Sequence, residues 1–355
     1  MIKDNIVAEL KEKIKNEPTN VDCYINLANY YIGANDYSSA LNVYKQILNI
    51  APKDFQTLAN MGSIYFYKKL YIEAIDCYNK AQKIEPNNYS TYYNLGNVYA
   101  EIENFELALN NYEKALELNP NKADIYSALG YLYQDIENYD AAKEFYLKAI
   151  ELDETNSENY INIANIEQRL GNLEKSLAYY EKAYSLDKKD PRACLCIANT
   201  YASLGDYSSS QQFFKKTLEL DESYYPAWVC RAIAYNDNHE PQEAIEMLKQ
   251  AIEINPDKPN AYILLANVLV EEKRYEEALI IYKTVYKISQ NCERILVLIA
   301  NTYVLLQNYI QATKYYKKAI KNSPCDNELK LIYLEMANSF IEEKYKNSEH
   351  GKNWG

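Results

Sequence analysis

The feature that most constrains this chain is a period. With Tyr92–Pro120, YYNLGNVYAEIENFELALNNYEKALELNP, as reference, one pattern returns every 34 residues without insertion or deletion, in units starting at 21, 55, 89, 123, 157, 191, 225, 259 and 293. Nine units therefore occupy residues 21–326 of a 355-residue chain. A fixed period of roughly 20–50 residues marks arrays whose units stack only on their neighbours. It overrides the prior of about two globular domains that length alone would give.

Within a unit, apolar residues at positions 4, 7, 8 and 11, and again at 20, 24, 27, 28 and 30, follow the i, i+3, i+4, i+7 spacing of amphipathic helices. Each unit thus reads as two helices. Position 8 is always Ala or Gly, from Ala28 and Gly62 to Ala300, and position 20 is Ala except at Ser176 and Ser210. Small residues at fixed places let two helices approach closely, and a larger side chain there costs about 1–3 kcal/mol. Position 11 is Tyr in seven units and position 24 is Tyr or Phe in eight, Leu248 being the exception, so rings fill the space around the small residues. Pro52, Pro86, Pro120, Pro256 and Pro324 stand at position 32 and stop the second helix.

The composition agrees with an all-α chain. Only 8 Gly and 10 Pro leave little material for tight turns, while 48% hydrophobic residues provide ample core. The aromatic content is 38 Tyr against 7 Phe and 2 Trp, which implies many half-buried rings whose hydroxyls need partners. A formal net charge of −12 disfavours nucleic acid as a partner. The start, MIKDNIVAELKEK, has no signal-like apolar stretch, and the longest apolar run is the six residues Ile295–Ala300, so no membrane span is expected. Seven Cys at irregular spacing fit thiols in a reducing compartment, and the expectation is a soluble cytoplasmic protein.

A 34-residue helix-turn-helix with NLG and Tyr in its first helix, then A-x3-Y-x2-A and Pro in its second, resembles the tetratricopeptide repeat. The resemblance implies an all-α, right-handed superhelical solenoid of antiparallel helix pairs, with one continuous core and an inner wall built mainly from the first helices. Residues 1–20 read as an N-terminal capping helix, because Pro18 sits one period before Pro52, residues 327–346 as a C-terminal capping helix, and 347–355 as a frayed tail.

Chemistry is sparse. The only histidines are His239, at a turn, and His350, in the tail. Cys194 and Cys196 form a C-x-C pair, but i and i+2 point about 200° apart on a helix, so packed thiols fit better than a zinc site. No phosphate-cradling glycine motif occurs. We therefore expect no catalytic residues, no metal and no cofactor.

In the resembled family, positions 2, 5, 6, 9, 12 and 13 face the groove. Here position 6 carries Asn26, Asn60, Asn94 and Asn162, and position 9 carries Asn29, Asn97, Asn165, Asn199, Asn267 and Asn301. A side-chain amide both donates and accepts, so such a ladder suits the backbone of an extended peptide. Similar ladders line the repeats of O-linked N-acetylglucosamine transferases, although no catalytic segment resembling theirs is present. General Asn richness, as in the loop residues Asn87 and Asn88, is the competing explanation. The family's carboxylate clamp is disfavoured: Asn29 and Asn60 match its amides, but Ile25, Ser90 and Asn94 stand where basic residues are required. Further along, Val229, Ile233, Ile263, Leu264, Val297 and Leu298 suggest an apolar channel, and Glu101, Asp135, Asp237 and Glu271 an acidic rim. The resulting expectation is a non-catalytic scaffold for an extended protein or peptide segment. A self-associating homo-oligomeric subunit, or the regulatory arm of a separately encoded enzyme such as a glycosyltransferase, are the alternatives.

Overall fold

The computed structural model of the chain describes residues 2–289, 292–324, 326 and 328–338. After α1 (Ile2–Asn16), each repeat supplies a 13-residue first helix and a 14-residue second one. They are α2 (Val21–Gly33) and α3 (Tyr37–Ile50), α4 (Phe55–Tyr67) and α5 (Tyr71–Ile84), α6 (Tyr89–Glu101) and α7 (Phe105–Leu118), α8 (Ala123–Asp135) and α9 (Tyr139–Leu152), and α10 (Ser157–Arg169) and α11 (Leu173–Leu186). There follow α12 (Pro191–Ser203) and α13 (Tyr207–Leu220), α14 (Tyr225–Asp237) and α15 (Pro241–Ile254), α16 (Pro259–Glu271) and α17 (Tyr275–Ile288), and α18 (Glu293–Leu305) and α19 (Tyr309–Asn322). Residues 328–338 are also helical, whereas the rest of the expected closing helix and the tail with His350 lie outside the described residues.

The chain forms two compact units, residues 1–170 and 171–355. Within each, consecutive helices pack against one another, and neighbouring first helices also touch: α4 with α6 and α6 with α8 in the first unit, α12 with α14 in the second. The first helices therefore line the inner side of each unit.

Local chemistry sets the helix boundaries. Asp36, Asn104, Asn138, Asp206 and Asn308 cap second helices, each accepting from the backbone N–H three residues on. Asn20, Asp54, Asn88, Asn156 and Asp190 cap first helices. Each cap contributes about 1 kcal/mol, which accounts for part of the Asn richness. Between the two helices, position 15 is left-handed in every repeat, with φ of 56–61° at Asn35, Lys69, Glu103, Glu137, His239, Lys273 and Gln307, and 80° and 79° at Gly171 and Gly205. The scarcity of Gly did not remove this turn; other side chains bear its conformation instead.

The small positions are where the helices meet. All residues at position 20, from Ala40 through Ser176 and Ser210 to Ala312, are fully buried. At position 8, a Cβ added to Gly62, Gly96 or Gly130 would lie 2.5–2.6 Å from the ring of Tyr78, Tyr112 or Tyr146 at position 24. Successive repeats are also tied by their aromatics. The hydroxyls of Tyr24, Tyr92 and Tyr160 and the indole N–H of Trp228, all at position 4, donate to the carbonyls of Pro18, Pro86, Glu154 and Glu222 at the end of the preceding second helix. The Tyr24 bond to Pro18 gives α1 the same joint to the first repeat that a second helix has elsewhere.

One joint is different. Lys143 of α9 stands where most repeats have an apolar residue, and Glu167 of α10 where most have Tyr; their Nζ and Oε1 lie 3.2 Å apart with the Glu167 side chain 7% exposed.

Candidate functional site

The inner side of the first unit carries a concavity of about 850 Å³ between α6 and α8. Its lining comes largely from the columns expected to face a groove: Tyr93, Asn97, Ala100 and Glu101 from α6, and Asp124, Ser127, Ala128, Tyr131 and Asp135 from α8. Phe66, Phe105, Asn156 and the turn residue Glu103 complete the rim. Tyr131 packs edge-on against Tyr146, centroids 5.6 Å apart, and its hydroxyl donates to Glu158 Oε1 at 3.3 Å. Burial pushes the Tyr93 phenol up, the Asn97 amide opposes this, and the nearby Asp124 carboxylate adds to it. Ser127 donates to Asn159 Oδ1 at 2.7 Å behind the wall.

The acidic column is only partly satisfied. Tyr71 donates to Glu101 Oε2 at 3.4 Å, and Arg169, at the corresponding place two repeats on, donates to Tyr139 at 3.1 Å. Asp135 has Phe105 in that place, and a phenyl ring offers no hydroxyl. Among the described residues no cationic side chain lines the concavity.

The Asn columns have a role the sequence reading missed. Tyr112 Oη donates to Asn97 Oδ1 at 2.8 Å, Tyr282 to Asn267 at 2.5 Å, and Tyr316 to Asn301. In these three repeats position 9 thus supplies the acceptor for the buried phenol at position 24, whereas Tyr146 donates to Gln134 at position 12. Tyr78 meets Ser63 the same way at 3.1 Å, and Asn60 Nδ2 donates to Tyr44 Oη of the preceding repeat at 3.3 Å. The signal lay in the sequence: each repeat with Tyr at position 24 has a polar or hydroxylated residue at position 9, and the repeat with Leu248 has Ile233 there. Asn199 is the exception, because it faces Phe214; its amide lowers the thiol pKa of Cys230, which burial raises.

The remaining amides divide by exposure. Asn26 and Asn29 are exposed, Asn94 and Asn165 half-buried, and Asn162 is only 4% exposed, so it presents little to a ligand. The apolar channel residues also divide by exposure. Val229 is 6% exposed and part of the core, and Ile263, Leu264 and Leu298 pack against the same core cluster, Val297 against the one beyond it. Only Ile233, 42% exposed, stands well clear of it. Burial raises the thiols of Cys194 and Cys196, the latter to about 11. Among the described residues no cluster of metal ligands occurs and no helix is long and apolar enough to cross a membrane.

Comparison with known proteins fits this geometry. A tetratricopeptide repeat model matches residues 21–54, 123–156, 157–190, 191–224 and 293–324, a TPR repeat model matches 62–103 and 96–137, and a further tetratricopeptide repeat model matches 235–301. The chain belongs to the tetratricopeptide repeat family. No curated protein sequence matches it. Among solved structures, a tetratricopeptide repeat protein from Parabacteroides merdae superposes with a TM-score of 0.54 at 22% identity, over 70% of this chain and 98% of that one. The APC/C hetero-tetramer Cut9–Hcn1 superposes with 0.50 at 15% identity, over 89% and 63%. Both share the fold. YrrB, a TPR protein with an unusual peptide-binding site, is 27% identical over 52% of this chain and 95% of its own, with a TM-score of 0.43.

Proposed function

We propose that this protein is a non-catalytic scaffold that holds an extended segment of a partner protein along the inner faces of its first helices. The observation that carries this reading is the concavity between α6 and α8, lined by side chains from the same repeat positions of two successive first helices. Such a surface continues from repeat to repeat, which suits an extended chain better than a compact small molecule. Glu103, on the rim of the concavity, and Asn29 and Asn94, in the same columns of first helices, are the contact residues to test, since Asn60, Asn97 and Tyr131 already hold Tyr44, Tyr112 and Tyr146 and their loss would confound binding with stability.

The test is selection of a displayed library of random dodecapeptides on the immobilised protein, followed by titration of synthetic copies of the selected peptides. The expected result is binding that falls about tenfold or more in the Asn29→Ala, Asn94→Ala, Glu103→Ala variant with helix content and melting unchanged. Selected peptides that bind this variant as well as the parent would remove the groove from the argument. Light scattering on the same samples separates the competing reading, for a mass that grows with protein concentration would indicate self-assembly.

A further inference from the structure

The joints between repeats follow one rule, which is broken once. Position 4 of a repeat is Tyr or Trp in six of the nine, and where Cys194 or Leu296 stands there instead, Tyr184 or Tyr286 occupies position 28 of the repeat before. Every such joint therefore has a ring from one side or the other. The joint of the first and second repeats has Leu48 and Leu58 in these places, and so has none. Two adjoining spaces of about 410 and 430 Å³ lie there, both lined by Leu48, Leu58 and Lys80. A second departure from the pattern sits at the same edge. Ile72, 82% exposed, takes position 18, which is polar or acidic in every repeat but this one and the ninth.

We infer that this space, which shares no lining residue with the inner concavity, receives a tyrosine or tryptophan side chain from an acidic segment of a partner protein. The other joints show what such a ring meets. Tyr24, Tyr92, Tyr160 and Trp228 donate to the carbonyl at the end of the preceding second helix, whereas the corresponding Pro52 carbonyl accepts from no described residue. A phenol or indole donor has an acceptor there that a phenyl ring could not use. Lys318 lies over the Tyr286 ring, 4.6 Å from its centroid, and Lys80 holds the same position 26 beside the open space, where a ring face would attract it too. Charge sets the flanking residues. Lys80 is held by Asp76 at 2.6 Å, but Lys53 and Lys83, which line the Pro52 end, make no ion pair with any described residue. Carboxylates next to the inserted ring would complement these two ammonium groups.

The dodecapeptide selection on the full chain tests this surface separately, because the space can be filled without touching the inner groove. Leu48→Tyr copies Tyr184 and Tyr286, and Leu58→Tyr copies Tyr92, so either supplies the missing ring from the chain itself. Using both, with helix content checked, guards against one of them failing to fold. The expected outcome is a set of peptides carrying Tyr or Trp beside Asp or Glu. Their affinity should fall about tenfold or more in the filled variants and stay unchanged in the Asn29→Ala, Asn94→Ala, Glu103→Ala variant. Replacing the Tyr of such a peptide by Phe should cost about threefold to tenfold through the lost bond to Pro52, and Lys53→Gln with Lys83→Gln about threefold or more. A selection with no peptide weakened by filling the space, or with weakened peptides that lack Tyr and Trp, would overturn this inference and leave the groove reading standing. A parent mass that grows with concentration while the filled variants stay monomeric would assign the space to a second copy and overturn the partner assignment. Absence of any peptide that depends on Asn29, Asn94 and Glu103 would instead sink the groove reading alone.

Discussion

Replacing Asn97 by Ala removes the acceptor of the Tyr112 hydroxyl, and the cost follows from where the pair sits. Tyr112 is 2% exposed, its Oη lies 2.8 Å from Asn97 Oδ1, and its ring is wedged against Gly96, so the phenol has little room to find another partner. A buried donor left unsatisfied costs about 1–3 kcal/mol. Because Asn97 is half-buried at the edge of the concavity, water enters the vacated side, which places the expected loss near about 1–2 kcal/mol. Tyr112→Phe should cost about 0.5–1.5 kcal/mol, and the double variant should fall short of the sum by about 1 kcal/mol. Asn199→Ala, which faces Phe214 and gives up only its contact with the Cys230 thiol, is the control and should cost less than Asn97→Ala, about 0.5 kcal/mol. Repeat arrays do not always unfold as one body, so urea titration is paired with hydrogen exchange of the α6 and α7 amides, which reads the same coupling locally. A coupling energy near zero, or an Asn199 effect as large as that of Asn97, would refute the assignment of position 9 to the phenol.

Three further outcomes are expected. Gly96→Ala sets a Cβ 2.5 Å from the Tyr112 ring; overpacking of about 1–3 kcal/mol outweighs a helix-propensity gain of about 1 kcal/mol, so the thermal midpoint should fall. Gly205→Ala meets no atom within 4 Å but must hold φ at +79°, so about 1–2 kcal/mol should be lost through the backbone alone, read as a lower urea midpoint. Burial raises the phenols of Tyr112 and Tyr282, the latter to about 12, and the thiols of Cys77 and Cys196 to about 11. Folded values above the unfolded ones mean that this stabilisation is complete below the unfolded thiol and phenol pKa values of about 8.5 and 10 and is lost as pH rises through them toward the folded values. Urea midpoints should therefore be level near neutrality and drop in the alkaline range, and midpoints that rise there would contradict the burial of these groups.

The helices, their ends and the contact positions were legible because a strict period repeats each signal nine times. Ala28, Ala40 and Ala74 are fully buried where smallness alone placed them, and Pro52 and Pro86 follow helices that end at Ile50 and Ile84. Groove chemistry was less legible. Position 9 faces both the open space and the Tyr behind it, and a column of Asn looks the same whether it serves a ligand or a phenol. Val229 looked like a channel residue because periodicity gives a helix face but not how deeply each residue on it is buried. The left-handed turn escaped notice because most of its residues are not Gly.

The uniform period also bears on how such a chain can change over time. Joints of equal length make most repeats interchangeable, so recombination between internal copies can add or delete a whole unit while every helix downstream keeps its register. The joint of Lys143 with Glu167 is barred from that exchange. A unit spliced in between them would strand a charge against an ordinary Leu or Tyr neighbour, at a cost on the order of 3 kcal/mol, so the fourth and fifth repeats should be copied or lost together.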